Sequence, residues 1–320
     1  MNSLEKAAMI VVRDCMAIKP NEDVLVITDK ARRKIGLAIF EAARDLCKEA
    51  LLLEITEREF NGQEPPRQVA DMMKMVDVVI CPTSKSLTHT DARREACKAG
   101  ARVGTLPGIT EDIMVRTMSA DYHQIAEQTY KICEILDRGK VAHLTTPLGT
   151  DITIPIKGIE SIPSTGMITK PGSYGNLPSG EAYLMPVESQ SQGVFFVDGS
   201  MAGIGKIKGE PIKIRVERGM AVEISGGEQA RQLNQMVESV GPQARNLAEL
   251  GIGTNYMAQI TGQILEDEKV AGTVHLALGN NKSMGGTVNV GLHVDGIITS
   301  PTLRIDDKLI LKNGQLLIKV

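Results

Sequence analysis

The chain has 320 residues, 42% of them hydrophobic, which is enough for the cores of two domains. Aromatics are only 3% and Trp is absent, so those cores must rest on Ile, Leu, Val, Ala and the 15 Met. A formal charge of -3 argues against a nucleic-acid partner, which would need a basic face, and no apolar run approaches the roughly 20 residues of a membrane span.

Helical periodicity runs through LEKAAMIVVRDCMAI and stops before Pro20. The short apolar strand DVLVITD (23–29) follows, then the helix ARRKIGLAIFEAARDLCKEA and the strand ALLLEI. Beyond Pro65 and Pro66 the pattern predicts a helix to about Met75, the strand VDVVICP and a helix near 88–99. The strand ARVGTLP, a helix near 111–117 and a longer one from Asp121 to about Asp137 complete this part. Strands apolar on both faces, alternating with helices, imply a doubly wound parallel sheet. His89 and Asp91 have His-x-Asp spacing, but i and i+2 do not share a helix face, so a capped helix start at Thr88 or Thr90 explains them better. His123 and His143 are read as structural.

The texture changes near residue 140. VAHLTT and DITIPI read as a hairpin around Leu148 and Gly149, and many short alternating runs follow. The last of these, TLRIDDKLILKNGQLLIKV, turns at Asn313-Gly314, a strong hairpin signal. One helix, GEQARQLNQMVESV, interrupts the strands. The expected organisation is an α/β domain over 1–142 and a β-rich α+β domain over 143–320. The five cysteines (15, 47, 81, 97, 133) form no CxxC and read as reduced thiols of a cytoplasmic protein. The charges within the N-terminal apolar stretch argue against a signal peptide.

Gly203-Ile204-Gly205 and Gly251-Ile252-Gly253 are only fragments of a dinucleotide loop, and GxxxxGK[ST], GxSxG and HExxH are absent. The informative stretch is TVNVGLHVDGIIT (287–299), which reads as a strand. There His293 and Asp295 project from the same face, either as two ligands of one metal ion or as a histidine held by its carboxylate. Burying them without partners would cost several kcal/mol, so a metal or a hydrogen-bond network must compensate. His275 in TVHLALG is either a further ligand or an inward-facing core histidine. Glu181 follows the stiff loop Asn176-Leu177-Pro178-Ser179-Gly180 and is either an aimed carboxylate or a solvated loop charge. Glu249 in NLAELGIGTN is either a ligand or an exposed helical residue before a Gly cap. Carboxylate-rich, His-poor and Cys-free ligation of this kind suits a hydrolytic site with one or two ions.

In order, NLPSGEAYLMP, NLAELGIGTN, HLALGNN and GLHVDGII resemble the metal-binding segments of the M29 metalloaminopeptidases. HTDARREACKAGARVGTLPGIT extends the resemblance weakly into the first domain. The resemblance implies that Glu181, Glu249, His275, His293 and Asp295 bind two divalent ions (zinc, cobalt or manganese). It also implies hydrolysis of N-terminal residues from short peptides by an activated water, with Glu181 and Glu249 as candidate general bases, and a homodimer. The chain departs from the family in being shorter and in having Lys282-Ser283 where a Tyr follows the Asn pair. This hydrolase is the leading expectation; the alternative is 2,5-dihydroxypyridine dioxygenase, which shares the fold and implies one iron held by His275, His293 and Asp295 and the cleavage of a small hydroxylated ring, although Glu181 and Glu249 then exceed what a mononuclear site needs. A metal-binding homologue without catalysis is the third expectation.

Overall fold

The computed structural model describes residues 1–318, so the last two residues of the C-terminal alternating run lie outside the described residues. The chain forms two compact units, Met1–His123 with Thr165–Ser179 and Gln124–Ser164 with Gly180–Val320.

The first unit is built on a five-stranded sheet. In spatial order its strands are Glu49–Ile55, Asp23–Asp29, Val78–Cys81, Arg102–Thr105 and Tyr174–Asn176. All its pairings are parallel. Val24 to Ile27 and Val78 to Cys81 are fully buried, as continuous apolar runs covered on both faces require. The predicted helices are present, including Arg33–Arg44, Asp91–Lys98 and Glu111–Thr117. Thr90 caps the Asp91–Lys98 helix by accepting from the Arg93 N–H, and Asp91 lies in its first turn, paired with Arg94.

The division is more interwoven than a single cut near 142. Residues 165–179 belong with the first unit because Tyr174–Asn176 pairs with Arg102–Thr105, and the Asn176 side chain accepts from Thr105 and Thr88. The helix Tyr122–Arg138 lies mostly in the second unit, where Ile132 and Leu136 are core residues.

The second unit contains two antiparallel sheets, one of eight strands and one of seven. The Val141–Thr145/Asp151–Pro155 hairpin and the turn at Asn313-Gly314 form as the sequence predicts. One hydrophobic core draws Leu144, Ile154 and Phe195 from the larger sheet, Leu250, Leu276 and Val294 from the smaller, and Leu233 and Val237 from the helix Glu228–Val240. The smaller sheet carries the chemistry on its other face.

Two expectations are corrected here. The run 287–299 is not one strand: only His293–Ile298 is, because the polar groups of 280–288 bond among themselves and to Glu188 instead of to a neighbouring strand. The helical alternative for Glu249 also fails. Leu247–Gly253 is a fully buried strand, and Gly251-Ile252-Gly253 lies within it, not in a phosphate loop.

Candidate metal centre

Four neighbouring strands of the seven-stranded sheet carry the site: His293–Ile298, Val274–Gly279, Leu247–Gly253 and Glu181–Leu184. Their register sets Ala277 between Glu249 and Asp295, His275 opposite Gly251, and Glu181 opposite Gly253. Strand alternation sends Leu250, Ile252, Val274, Leu276, Leu278 and Val294 into the core. The opposite face then holds the acids and imidazoles, spaced by the small residues Gly251, Gly253, Ala277 and Gly279. The ladder shifts register between Leu247 and Glu249, a bulge that turns Glu249 onto this face.

Room for the imidazole is made by glycine. A Cβ on Gly251 would lie 2.0 Å from His275 Nε2. With no side chain there, His275 is fully buried and lies across the neighbouring strand.

The five residues singled out in the sequence form one connected cluster. His275 Nε2 lies 3.5 Å from Glu181 Oε2 and 3.2 Å from Glu249 Oε1. The other Glu249 oxygen, Oε2, lies 3.3 Å from His293 Nε2, and His293 Nε2 lies 3.4 Å from Asp295 Oδ1. Glu249 thus spans both imidazoles. His293 Nδ1 donates to the Asn280 carbonyl at 2.7 Å, which turns Nε2 toward the carboxylates. The His293 side chain is 33% exposed, whereas those of Glu181, Glu249, His275 and Asp295 are 10% exposed or less, so the cluster opens on the His293 side.

Two residues of the site carry no signal in the sequence. Lys269 is buried, donates to Glu181 Oε1 at 2.6 Å, and pairs closely with Glu268. Both lie in LEDEKVAGT, which reads as a solvated charge run; nothing in its composition marks Lys269 as an interior residue.

The donor set fits a divalent metal ion. Among the described residues, the ligating atoms of Glu249, His293 and Asp295 all lie within 4.8 Å of one another. Asp295 Oδ1 is buried without a hydrogen bond and has only the 3.4 Å ion pair with His293, and an under-satisfied carboxylate oxygen of this kind is what a cation satisfies. Imidazole and carboxylate without thiolate suit Mn, Fe, Co or Zn.

In the absence of an ion, protons take its place. Burial opposes charge on His275, but the bond to Glu249 and the charges of Glu181, Glu249 and Asp295 outweigh it, and its pKa is pushed up to about 9. His293 is raised well above the ordinary imidazole value, as Asp295 and Glu249 overcome its burial. Against the opposing effect of burial, Asp295 is held at about 2 by His293, His275 and Lys269, and Glu249 is lowered by both imidazoles. Burial, reinforced by Glu181 and Asp295, pushes Glu268 up to about 8 despite Lys269. A divalent ion must therefore displace protons from both imidazoles at neutral pH. Metal affinity is expected to rise with pH toward about 9, with proton release on binding. Titration calorimetry in buffers of different ionisation enthalpy measures this, and binding with no proton release would contradict it.

Glu188 holds the loop before His293. It accepts from Asn281 Nδ2 at 2.8 Å, from the Thr287 N–H at 2.7 Å and from Thr287 Oγ1 at 2.8 Å. The Glu188→Ala variant should loosen Asn280 and with it His293, lowering metal affinity roughly 10-fold, the low end of supporting-residue effects. A chromophoric chelator competition reads this out; unchanged affinity would show that the loop does not set His293.

An antiparallel sheet carrying such a cluster, in one chain with a parallel α/β sheet, defines a mixed α/β fold with a candidate metal centre. More particularly, the chain belongs to the NicX family, 2,5-dihydroxypyridine 5,6-dioxygenase, whose model matches residues 6–318. Its fold is similar to that of 2,5-dihydroxypyridine dioxygenase from Pseudomonas putida KT2440, with a TM-score of 0.83 at 18% identity over 99% of this chain and 98% of that one. It is also similar to wild-type AmpT from Thermus thermophilus, with a TM-score of 0.73 at 17% identity over 99% of each chain. No match was found among curated proteins. Both sides of the resemblance are thus present, and the aminopeptidase side rests on the more distant fold likeness. No helix among the described residues is long and apolar enough to cross a membrane.

Proposed function

We propose that this protein is a dioxygenase with a single metal ion, iron by preference, that opens a small hydroxylated nitrogen-containing ring. Membership of the NicX family supports the reaction class. The observation that carries the one-ion reading is the compactness of Glu249, His293 and Asp295, compared with the wider spread of the five-residue cluster. When bound, the ion supplies the redox chemistry that lets dioxygen react with a closed-shell aromatic ring.

The chain's own groups prepare that reaction. Glu249, Asp295 and His293 would hold the ion, with Glu249 in the place that the resemblance gave to His275, and His275 supports Glu249 from behind by its contact with Oε1. The Asn280 carbonyl fixes the His293 ring so that Nε2 faces inward. Buried walls on the other sides limit water, and the partly exposed His293 edge is the side from which a planar substrate reaches the centre. Gly279, opposite His293 in the register, has a positive φ and lets the Leu292 carbonyl approach where a Cβ would lie 2.2 Å from it.

Protein loaded anaerobically with Fe(II) should consume dioxygen in step with the loss of 2,5-dihydroxypyridine absorbance, and should release no amino acid from a panel of short peptides. Peptide hydrolysis without oxygen uptake would overturn the reading. A two-ion aminopeptidase is the second reading, favoured by the convergence of all five ligand-type residues through contacts of 3.2–3.5 Å. It predicts that peptide result, with Glu181 and Glu249 as ligands or bases.

A further inference from the structure

Five ligand-type side chains converge, yet only three of them form a compact donor set. Glu181 lies outside that set and is paired instead with Lys269. Its side chain is 2% exposed, and its ammonium donates to Glu181 Oε1 at 2.6 Å and pairs with Glu268 on the other side. A buried ammonium persists only where paired charges compensate its desolvation, and here the protein builds a place for it. The Lys269 N–H donates to the Glu266 carbonyl, and the Lys269 carbonyl accepts from the Asn255 N–H. Asp267 pins the preceding loop through the N–H groups of Thr261 and Gly262. Lys269 is thus held in the centre from the backbone outward.

We propose that Lys269 is a cation supplied by the protein in the place of a second metal ion, and that it restricts the centre to one ion. The inference rests on the one-ion reading above. With both imidazoles neutral, one divalent ion and the Lys269 ammonium bring three positive charges to the four carboxylates Glu181, Glu249, Asp295 and Glu268, so Lys269 already supplies part of the charge a second ion would bring. A second divalent ion would have to displace Lys269 from Glu181 Oε1 while adding positive charge beside a buried ammonium that cannot leave. The remaining oxygen, Glu181 Oε2, faces His275 Nε2 at 3.5 Å. Without the ammonium, Glu181, His275 and Glu268 would offer a second ion its own donors.

The test is ion content per chain after equilibrium dialysis against Mn(II), measured by elemental analysis on the full chain. Wild type should hold one ion and Lys269→Met two. Lys269→Met that is folded and still holds one ion would overturn the inference and leave the one-ion reading intact, whereas two ions in wild type would overturn both. If Lys269→Met folds only with Mn(II) present, the ion is replacing the ammonium, as proposed. Should that variant not fold at all, Glu181→Gln decides, because Glu181 then serves Lys269 and not the ion. It should keep one Mn(II) with affinity within about threefold of wild type, and loss of the ion would overturn the inference.

Discussion

His293→Ala is expected to yield a folded, soluble protein that has lost its metal and its turnover. Three side chains form the compact donor set, and His293 is its sole nitrogen donor. Protein sites with about four ligands bind zinc with roughly 10–16 kcal/mol, so one ligand accounts for about 3 kcal/mol, on the order of 100-fold in affinity. The cost to the fold is smaller. His293 is a partly exposed residue at the start of its strand, and the substitution removes one hydrogen bond, to Asn280, worth about 1 kcal/mol. It also removes the charge that chiefly offsets the burial of Asp295. Because the Asp295 pKa is depressed in the folded state, its ionised form contributes stability above the unfolded value, and that contribution fades as pH falls toward about 2. That contribution is lost only in part, because His275 and Lys269 remain beside Asp295. Metal titration and thermal unfolding separate the two effects. Wild-type metal affinity in the variant would remove His293 from the centre, and insolubility would show that it is structural.

Gly251→Ala is expected to damage the same centre from beneath. The added methyl would lie 2.0 Å from His275 Nε2 and 2.2 Å from Cε1, so the ring must move. His275 is fully buried and has no route to solvent. Either the ring leaves Glu249 or the two strands separate, and overpacking of this kind costs roughly 1–3 kcal/mol. Metal affinity should fall about 10–100-fold, as when a group that orients a ligand is disturbed. Gly291→Ala is the control, since its Cβ would meet nothing within 4 Å, and it should stay within about 0.5 kcal/mol of wild type. Urea unfolding and metal competition read both variants; a Gly251→Ala protein indistinguishable from the control would show that His275 is not seated as described.

Much of this fold is legible in the sequence because its signals are local. The Pro and Gly punctuation, the helix cap at Thr90 and the hairpin at Asn313-Gly314 act over a few residues. The pairing of His293 with Asp295 is legible for the same reason, since strand geometry alone puts i and i+2 together. Glu249 is harder to read because the bulge before it sets the core residues Leu247 and Leu250 three apart, a spacing that imitates a helix. The strand Tyr174–Asn176 is short and becomes a strand only through its distant neighbour Arg102–Thr105, so no local pattern announces it. Lys269 is hidden most completely. A lysine that follows three acids in sequence looks solvated, and only the return of Glu181 from 88 residues away makes it an interior cation. The stretch 287–292 misleads in the opposite sense: its alternation continues, but its backbone bonds go to Asn281 and Glu188.

One metal ion held by Glu249, His293 and Asp295 should be visible by anomalous diffraction at the iron edge, from crystals grown with Fe(II) under argon. A single peak per chain is expected among those three side chains, with Lys269 still on Glu181. A second peak beside Glu181 and His275, or no peak among the three, would contradict it.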